Sequence, residues 1–144
     1  MRLSGTVASG LGRAHVFMAQ THYQEQFKSV LGAGAWPGTL NVDVDEKDID
    51  KYRELRIEAG LEKGETTTKI ESIRIAGFER VGRSFGGATA IPASITSNGE
   101  KWIICAILIP DLTRHTETAE VISSSFLREV LSCSDGDIVT LRLG

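Results

Sequence analysis

The chain has 144 residues, of which 41% are hydrophobic and 24% are charged, and its formal net charge at pH 7 is −3. This length suits one core, so we expect a single domain over residues 1–144. The weak negative charge argues against a nucleic-acid-binding protein, which would need a positive field. The longest apolar stretch, residues 102–110, is about half as long as a membrane-spanning helix. The N-terminus also lacks the apolar run of a signal peptide. The sequence therefore predicts a cytoplasmic monomer that contacts no membrane.

The cysteines and histidines fit neither a zinc site nor a redox motif. Cys105 and Cys133 form no Cys-x-x-Cys pair, so we expect two free thiols in a reducing compartment. His15, His22 and His115 have no zinc-ligand spacing. We interpret them as exposed imidazoles or nucleotide contacts.

The first third of the chain alternates short apolar runs with glycine, a pattern typical of strands joined by tight turns. Strands are predicted over residues 3–9 and 14–19. A helix is predicted over 23–31, because Phe27, Val30 and Leu31 have helical spacing and Gly32 can end it. Residues 40–44 alternate apolar and polar side chains, as in a half-buried strand.

The segment 45–65 is dense in charged residues and contains too few apolar ones for a core of its own. We therefore interpret it as a solvated helix or excursion inserted within the single domain.

The second half predicts further strands over residues 66–75, 88–95, 102–109 and 138–143. The run 102–109 is apolar enough for a central, buried strand. Asn98-Gly99 predicts a tight hairpin turn with positive φ at both positions. We also expect a glycine-bearing turn over 82–87 and a helix over 121–131. Together these elements favour a mainly β fold, a compact barrel with one or two short helices.

Three segments carry candidate functional residues, and the first is Ser9-Gly10-Leu11-Gly12-Arg13-Ala14-His15. A strand that ends in Gly-x-Gly can turn backbone N–H groups toward an anion. The third glycine of the dinucleotide fingerprint and the Lys-Ser/Thr of a Walker A loop are both missing. Taken alone, the segment is better explained by an ordinary hairpin turn.

The second segment is 36–42, in which Thr39 and Asn41 stand two residues apart after the turn-forming Pro37-Gly38. Residues two apart in a strand point to one face. Their neutral oxygens suit Mg²⁺ when a phosphate ligand supplies the charge. A polar strand face after a turn is the alternative.

The third segment, 113–122, is a polar loop after the buried strand, and Ser125 to Arg128 follow it. Loops on a rigid support often carry binding residues. Glu120 could accept a hydroxyl proton, although Glu117 and Glu120 could also be surface charges near the start of a helix.

Taken together, the three segments resemble the archaeal CTP-dependent riboflavin kinase family in order and spacing. The resemblance extends over nearly the whole chain. Its most specific part is the Pro-Gly-Thr-Leu-Asn block combined with the Gly-Leu-Gly start. The matching residues are Leu3-Ser4-Gly5-x-Val7-x-Ser9-Gly10-Leu11-Gly12, Tyr23-x-x-Gln26-Phe27, Leu31-Gly32, Pro37-Gly38-Thr39-Leu40-Asn41-Val42, Ile75-x-Gly77-Phe78, Gly82-Arg83-x-Phe85-Gly86-Gly87, Glu120-Val121-Ile122, Leu127-Arg128 and Asp135-Gly136-Asp137.

The resemblance implies a six-stranded cradle-loop barrel, related to the RIFT barrels, that transfers the γ-phosphate of CTP to riboflavin and gives FMN and CDP. It implies that Thr39 and Asn41 hold Mg²⁺ and that Thr113 and Glu120 contact the flavin. Our hypothesis for the mechanism is that Glu120 also orients the attacking hydroxyl or takes its proton. The implied nucleotide contacts are Gly10, Leu11, Gly12, Arg13, Ala14, His15, Ser125, Phe126, Leu127 and Arg128.

Several alternatives stay open at this point. The family has one more residue between the flavin-contacting threonine and the glutamate, so Thr116 could replace Thr113. A Thr-x-Asn pair also occurs in ATP-dependent riboflavin kinases and does not select CTP. Trp36 and Phe85 could stack on a planar ring, or Phe85 could pack in the core. A non-catalytic flavin- or nucleotide-binding sensor on the same barrel is the competing function.

Overall fold

The structure is a computed structural model that describes residues 1–10 and 18–143. The strand predicted over residues 14–19 lies mostly outside the described residues. Its described end, Met18 and Ala19, is not a strand.

Strands are the most abundant regular structure in the described residues, in agreement with the mainly β prediction. Buried and less buried side chains alternate along Arg2–Ala8, Leu40–Val44 and Ile138–Leu143, whereas the two longest strands, Ala88–Thr96 and Ile103–Pro110, contain continuous buried runs. The strands are β1 (Arg2–Ala8), β2 (Leu40–Val44), β3 (Ile73–Ile75), β4 (Phe78–Arg80), β5 (Arg83–Phe85), β6 (Ala88–Thr96), β7 (Ile103–Pro110), β8 (Thr118–Ile122) and β9 (Ile138–Leu143).

Six of these strands close into an antiparallel barrel in the order β6-β7-β8-β2-β1-β9, and β9 pairs back onto β6. The closing register places Ile95 beside Leu141. Strand β3 pairs with the first part of β6, and β4 and β5 form a separate two-stranded hairpin. The predicted six-stranded barrel is therefore confirmed. Closure leaves the barrel strands no unpaired edge along most of their length.

The helices are α1 (Thr21–Leu31), α2 (Ile49–Glu58) and α3 (Leu127–Val130), and a 3₁₀ turn, Glu46–Asp48, precedes α2. The predicted helix over 121–131 is thus wrong in its first half. Residues up to Ile122 belong to β8, where buried Ala119 and Val121 flank the more exposed Glu120 with the period of a strand.

The barrel interior is filled by apolar side chains from all six strands and by two residues of α2. Tyr52 and Leu55 are 2% and 0% exposed and belong to this interior cluster. The charged segment therefore contains a helix, one of the two predicted forms, but this helix is packed on the barrel and is not solvated on all sides. Its helix covers the barrel with one apolar face and turns its many charges to the solvent.

A second apolar cluster lies outside the barrel, under α1. Tyr23, Phe27 and Leu31 follow one face of the helix and pack with Ala106, Leu108 and other outward side chains of the sheet. Gly32 ends α1 in the left-handed conformation with φ 77°, where its N–H bonds the carbonyl of Lys28. This exterior packing positions the helix beside the candidate site.

Three further predictions need correction. Asn98-Gly99 does join β6 to β7, but only Gly99 has positive φ, at 79°. The loop is longer than a two-residue turn because Ile95 pairs with Ile103, and the side chain of Asn98 accepts N–H bonds from Glu100 and Lys101. The strand predicted over 66–75 is limited to β3, and the turn over 82–87 contains β5.

Cys105 and Cys133 are both free, as predicted, and both are buried. Within residues 1–10 and 18–143, no helix is long and apolar enough to cross a membrane.

Candidate functional site

An apolar cleft of about 350 Å³ lies on the outside of the barrel, between α1, the β4–β5 hairpin and the ends of β7 and β8. Tyr23 and Phe27 form its helical wall. The Tyr23 hydroxyl donates to the carbonyl of Gly86 at 2.6 Å and ties the helix to the segment after β5. The lining residues are Met18, Tyr23, Phe27, Thr39, Ile75, Arg83, Ser84, Phe85, Gly86, Gly87, Ala88, Leu108, Pro110, Leu112 and Glu120.

Stacked aromatic rings support one wall of this cleft. Phe85 lines the cleft and stacks on Phe78 with ring centroids 4.6 Å apart and planes 10° apart. Phe78 in turn meets the Tyr23 ring edge-on at 5.3 Å. Such a wall is preorganised for a planar ring system, because its rings already hold one another in place.

Three polar side chains gather at the end of the cleft. Strand pairing sets Asn41 of β2 directly beside Glu120 of β8, so the two side chains share a face with Cβ atoms about 5 Å apart. Thr39 precedes β2, lines the cleft, and donates its hydroxyl to Asn41 Oδ1 at 3.1 Å. Gly10 packs on the Asn41 amide so closely that a Cβ there would be 2.5 Å from Nδ2.

Glu120 is the polar group whose electrostatics are most altered by this environment. Burial raises the pKa of the Glu120 carboxyl above its usual range, and the nearby charge of His115 partly offsets that effect. No hydrogen bond or ion pair holds the carboxyl among the residues that the structure describes. It is therefore available to a ligand in the cleft and is a better proton acceptor than an exposed glutamate.

A second, smaller cleft of about 50 Å³ adjoins the first and shares Thr39 with it. Trp36 and Phe126 stack at its mouth with centroids 5.0 Å apart, and both are partly exposed. Ser125 to Arg128, predicted as nucleotide contacts, all line it. Its lining residues are Trp36, Gly38, Thr39, Leu40, Val121, Ser123, Ser125, Phe126, Leu127 and Arg128.

A polar network connects this small cleft to the end of β1. Arg128 donates to Asp135 Oδ1 at 2.7 Å, and Ser9 donates its hydroxyl to the other oxygen of the same carboxylate. The two bonds hold the pKa of Asp135 below its usual value. The network links Arg128 through Asp135 to Ser9, the residue that precedes Gly10. The sequence places Asp135 in a matching motif but predicts no role for it.

The remaining predicted contacts lie in other places. Leu11, Gly12, Arg13, Ala14 and His15 lie outside the described residues. Thr113 does not line the apolar cleft, although its neighbour Leu112 does; its hydroxyl accepts the N–H of His115 at 3.1 Å. Thr116 is exposed. The choice between the two threonines stays a prediction.

Sequence reasoning missed most of the apolar wall. Tyr23 and Phe27 stand four residues apart on a predicted helix, a signal that they share a face, but that signal does not distinguish a core from a cleft. No local sequence pattern marks Leu108 and Leu112 as cleft residues, because the cleft forms only when α1 and the β4–β5 hairpin pack beside them.

The residues that would hold a divalent cation are Thr39 and Asn41. No group of three or more His, Cys, Asp or Glu side chains able to hold a metal occurs in residues 1–10 and 18–143. Thr39 Oγ1 and Asn41 Oδ1 are 3.1 Å apart, close to the roughly 2.9 Å between neighbouring ligands of an octahedral Mg²⁺ site. The pair thus fits Mg²⁺ in a site completed by ligand phosphates and water.

A closed six-stranded barrel, with an apolar cleft and a smaller cleft that meet near two neutral side-chain oxygens and a carboxylate, defines a β-barrel protein with a candidate site of two adjoining clefts. The comparisons with known proteins identify it further. A family model for the CTP-dependent riboflavin kinase domain, described as "Domain of unknown function DUF120", matches residues 7–143. The chain belongs to this family, which confirms the resemblance recognised in the sequence.

Curated relatives cover the chain almost completely. A riboflavin kinase of Thermoplasma acidophilum is 33% identical over 141 residues, which are 98% of this chain and 56% of the relative. One of Methanoculleus marisnigri is 36% identical over 142 residues, with 98% and 56% covered. One of Saccharolobus solfataricus is 29% identical over 144 residues, with 99% and 74% covered. The chain therefore spans little more than half the length of the first two.

Proposed function

We propose that this protein is a riboflavin kinase that transfers the γ-phosphate of CTP to the 5′-hydroxyl of riboflavin and releases FMN and CDP. The observation that carries the proposal is the position of Thr39, which lines both clefts and bonds Asn41. A phosphoryl group passing from one cleft to the other would pass this pair. Family membership supports the substrate, and the family name supports CTP.

The apolar cleft is the proposed flavin site. Its volume of about 350 Å³ lies in the usual range for small-molecule pockets. The isoalloxazine ring would lie against Phe85 and the helical wall, where burial of its apolar faces favours binding. The ribityl chain would then extend toward Thr39 and Glu120, the polar end of the same cleft.

The small polar cleft is the proposed nucleotide site. Ser125 and Arg128 line it, and the Arg128 guanidinium adds positive charge near the end of β1. Gly10 lies at that end and leaves the backbone uncovered, so its amide can approach a phosphate. Trp36 and Phe126 offer ring faces at the mouth, on which a base can stack.

Thr39 and Asn41 are the proposed ligands of Mg²⁺, which when bound would neutralise charge on the β- and γ-phosphates. The protein's part is to hold the two oxygens at a fixed spacing. The β2 strand and the packing of Gly10 on the Asn41 amide provide that rigidity.

Glu120 is the proposed catalytic residue. The 5′-hydroxyl oxygen forms a bond to the γ-phosphorus while the bond from phosphorus to the β–γ bridging oxygen breaks, and CDP leaves with that electron pair. The hydroxyl proton passes to the Glu120 carboxylate. Burial raises the pKa of this carboxyl and so improves it as a proton acceptor. Positioning and charge neutralisation supply the rest of the rate enhancement.

The test is a riboflavin-to-FMN assay with purified protein and Mg²⁺, run in parallel with CTP, UTP, ATP and GTP. We expect FMN to form fastest with CTP. Equal rates of FMN formation with CTP and ATP would support riboflavin kinase activity but refute a preference for CTP. A folded protein that binds flavin but forms no FMN with any nucleotide would refute the kinase and favour a flavin sensor.

A further inference from the structure

The charged helix α2 reaches the segment that borders the apolar cleft. Arg56, on its last turn, is only 8% exposed, which is unusual for arginine. Its guanidinium donates to Glu62 Oε2 at 2.9 Å through Nε and to the carbonyl of His115 through Nη1. One side chain therefore joins the charged segment to the β7–β8 connection.

That connection, residues 111–117, is attached firmly at its two ends. Asp111 pairs with Arg74, and its N–H bonds the carbonyl of Gly87 at 3.0 Å. At the other end, the N–H of Val44 bonds the carbonyl of Glu117 at 2.8 Å. Since Leu112 and Glu120 line the cleft, the path of this connection sets the shape of one wall.

The middle of the connection has a single attachment. Among the residues that the structure describes, the Arg56 bond to His115 is the one hydrogen bond that ties residues 112–116 to another part of the chain. The other bonds there, from His115 to Thr113 and from Thr113 to Pro110, are local. Local bonds shape the turn but do not hold it against the barrel.

We propose that Arg56 is a positioning residue for the flavin end of the site, holding residues 112–116 in place through the carbonyl of His115. The proposal rests on the proposed function, since it assigns the adjoining cleft to the flavin. It also explains what the charged segment does, because the helix of that segment fixes a wall of the substrate cleft. The nucleotide end of the site, built by residues 125–128, takes no part in the hydrogen bonds of Arg56.

Arginine suits this position because its planar guanidinium can donate to two acceptors at fixed angles. A lysine keeps the charge but cannot reproduce both bonds from one nitrogen at the same spacing. Replacing Arg56 with methionine retains much of the apolar stem. Glu62 would still bond Arg53, at 3.3 Å, and is partly exposed, so no buried charge is left unpaired. We therefore expect Arg56→Met to fold.

The experiment compares the wild-type protein with Arg56→Met, Arg56→Lys and Arg53→Met. Arg53→Met is the matched control, because Arg53 shares Glu62 but is exposed and makes no bond to the connection. We expect Arg56→Met to raise the KM for riboflavin by about tenfold, from the loss of a charge-assisted hydrogen bond, with the KM for CTP unchanged. Arg56→Lys should recover part of the loss, and Arg53→Met should match the wild type.

Amide hydrogen exchange of the free protein provides a readout independent of activity. Residues 112–116 should exchange faster in Arg56→Met than in Arg53→Met, while β7 and β8 stay protected. A riboflavin KM equal to that of the wild type, or equal increases in both KM values, would overturn the role of Arg56. A wild-type protein that neither binds nor phosphorylates riboflavin would overturn the proposed function instead, and the exchange result would then report on the attachment alone.

Discussion

Gly10→Ala should reduce catalysis without destabilising the fold. The added Cβ would lie 2.5 Å from Asn41 Nδ2 and 3.3 Å from its Cγ. The φ of Gly10 is not in the left-handed region, so alanine brings no backbone strain there. The clash is with a side-chain amide at the site, and the amide must move to relieve it.

The size of that movement follows from the distances. Bringing a 2.5 Å contact to the 3.4 Å of ordinary van der Waals contact displaces the amide by about 0.9 Å. A misplacement of about 1 Å in a catalytic arrangement can lower the rate by roughly 10²-fold. Stability should change by less than about 1 kcal/mol, because glycine-to-alanine replacement at a compatible backbone position slightly favours folding.

The assay measures kcat for FMN formation and the midpoint of thermal unfolding for Gly10→Ala, Asn41→Ala and the double variant. If Gly10 acts through Asn41, the double variant should be no slower than Asn41→Ala alone. Additive losses in the double variant, or a Gly10→Ala protein with wild-type kcat, would refute the reasoning.

Three further predictions test separate parts of the molecule. Glu120→Gln should lower kcat steeply. In the wild type, kcat should fall as pH drops through the raised pKa of Glu120. The pKa of the Glu120 carboxyl is higher in the folded than in the unfolded protein, so its contribution to stability is lost as pH rises through the folded pKa. At neutral pH, Glu120→Gln should therefore have a melting temperature no lower than that of the wild type. A lower melting temperature would contradict this argument. Asp135→Ala should raise the KM for CTP alone, since it frees Arg128 and Ser9, and a change confined to riboflavin would refute the assignment. Leu55→Ala, at a fully buried position of α2, should lower the free energy of unfolding by about 2–5 kcal/mol in urea titration, whereas an effect below about 0.5 kcal/mol would show that α2 is not part of the core.

Strand prediction succeeded where one face of a strand is buried. Residues 40–44 and 138–143 alternate clearly and match β2 and β9 at both ends. It failed where glycine or short runs interrupt the pattern, as in the hairpin of β4 and β5. The helix predicted over residues 121–131 was wrong in its first half because the range contains the end of a strand and a short helix. The apolar residues of the two elements together have an apparent helical spacing.

The charged segment shows a different limit. Two side chains of α2, Tyr52 and Leu55, belong to the buried interior cluster, and Ile49 packs against it. Six of the ten residues of the helix are charged. A few apolar residues among so many charges are too weak a pattern to reveal an attached helix. The partner of Arg56 was equally hidden, since His115 lies 59 positions away in the sequence and contributes a backbone carbonyl.

The proximity of the candidate site residues could be read from local sequence only in part. Thr39 and Asn41 are close because they are two apart in the chain, and their spacing alone predicts this. Glu120 joins them only because β8 pairs with β2 in one particular register. A slip by one residue would turn Glu120 into the barrel and Val121 outward.

That register also separates function from stability within the same strands. In β2, Leu40 and Val42 face the interior at 4% and 1% exposure, and Asn41 between them faces outward. In β8, Ala119 and Val121 are fully buried on either side of Glu120. Inward positions therefore carry the packing, although Leu40 and Val121 also form part of the wall of the small cleft. The polar side chains proposed for the chemistry, Asn41 and Glu120, are outward. Substitutions of these two residues should therefore abolish the reaction and leave the core complete, whereas substitutions of their inward neighbours should lower the stability of the barrel.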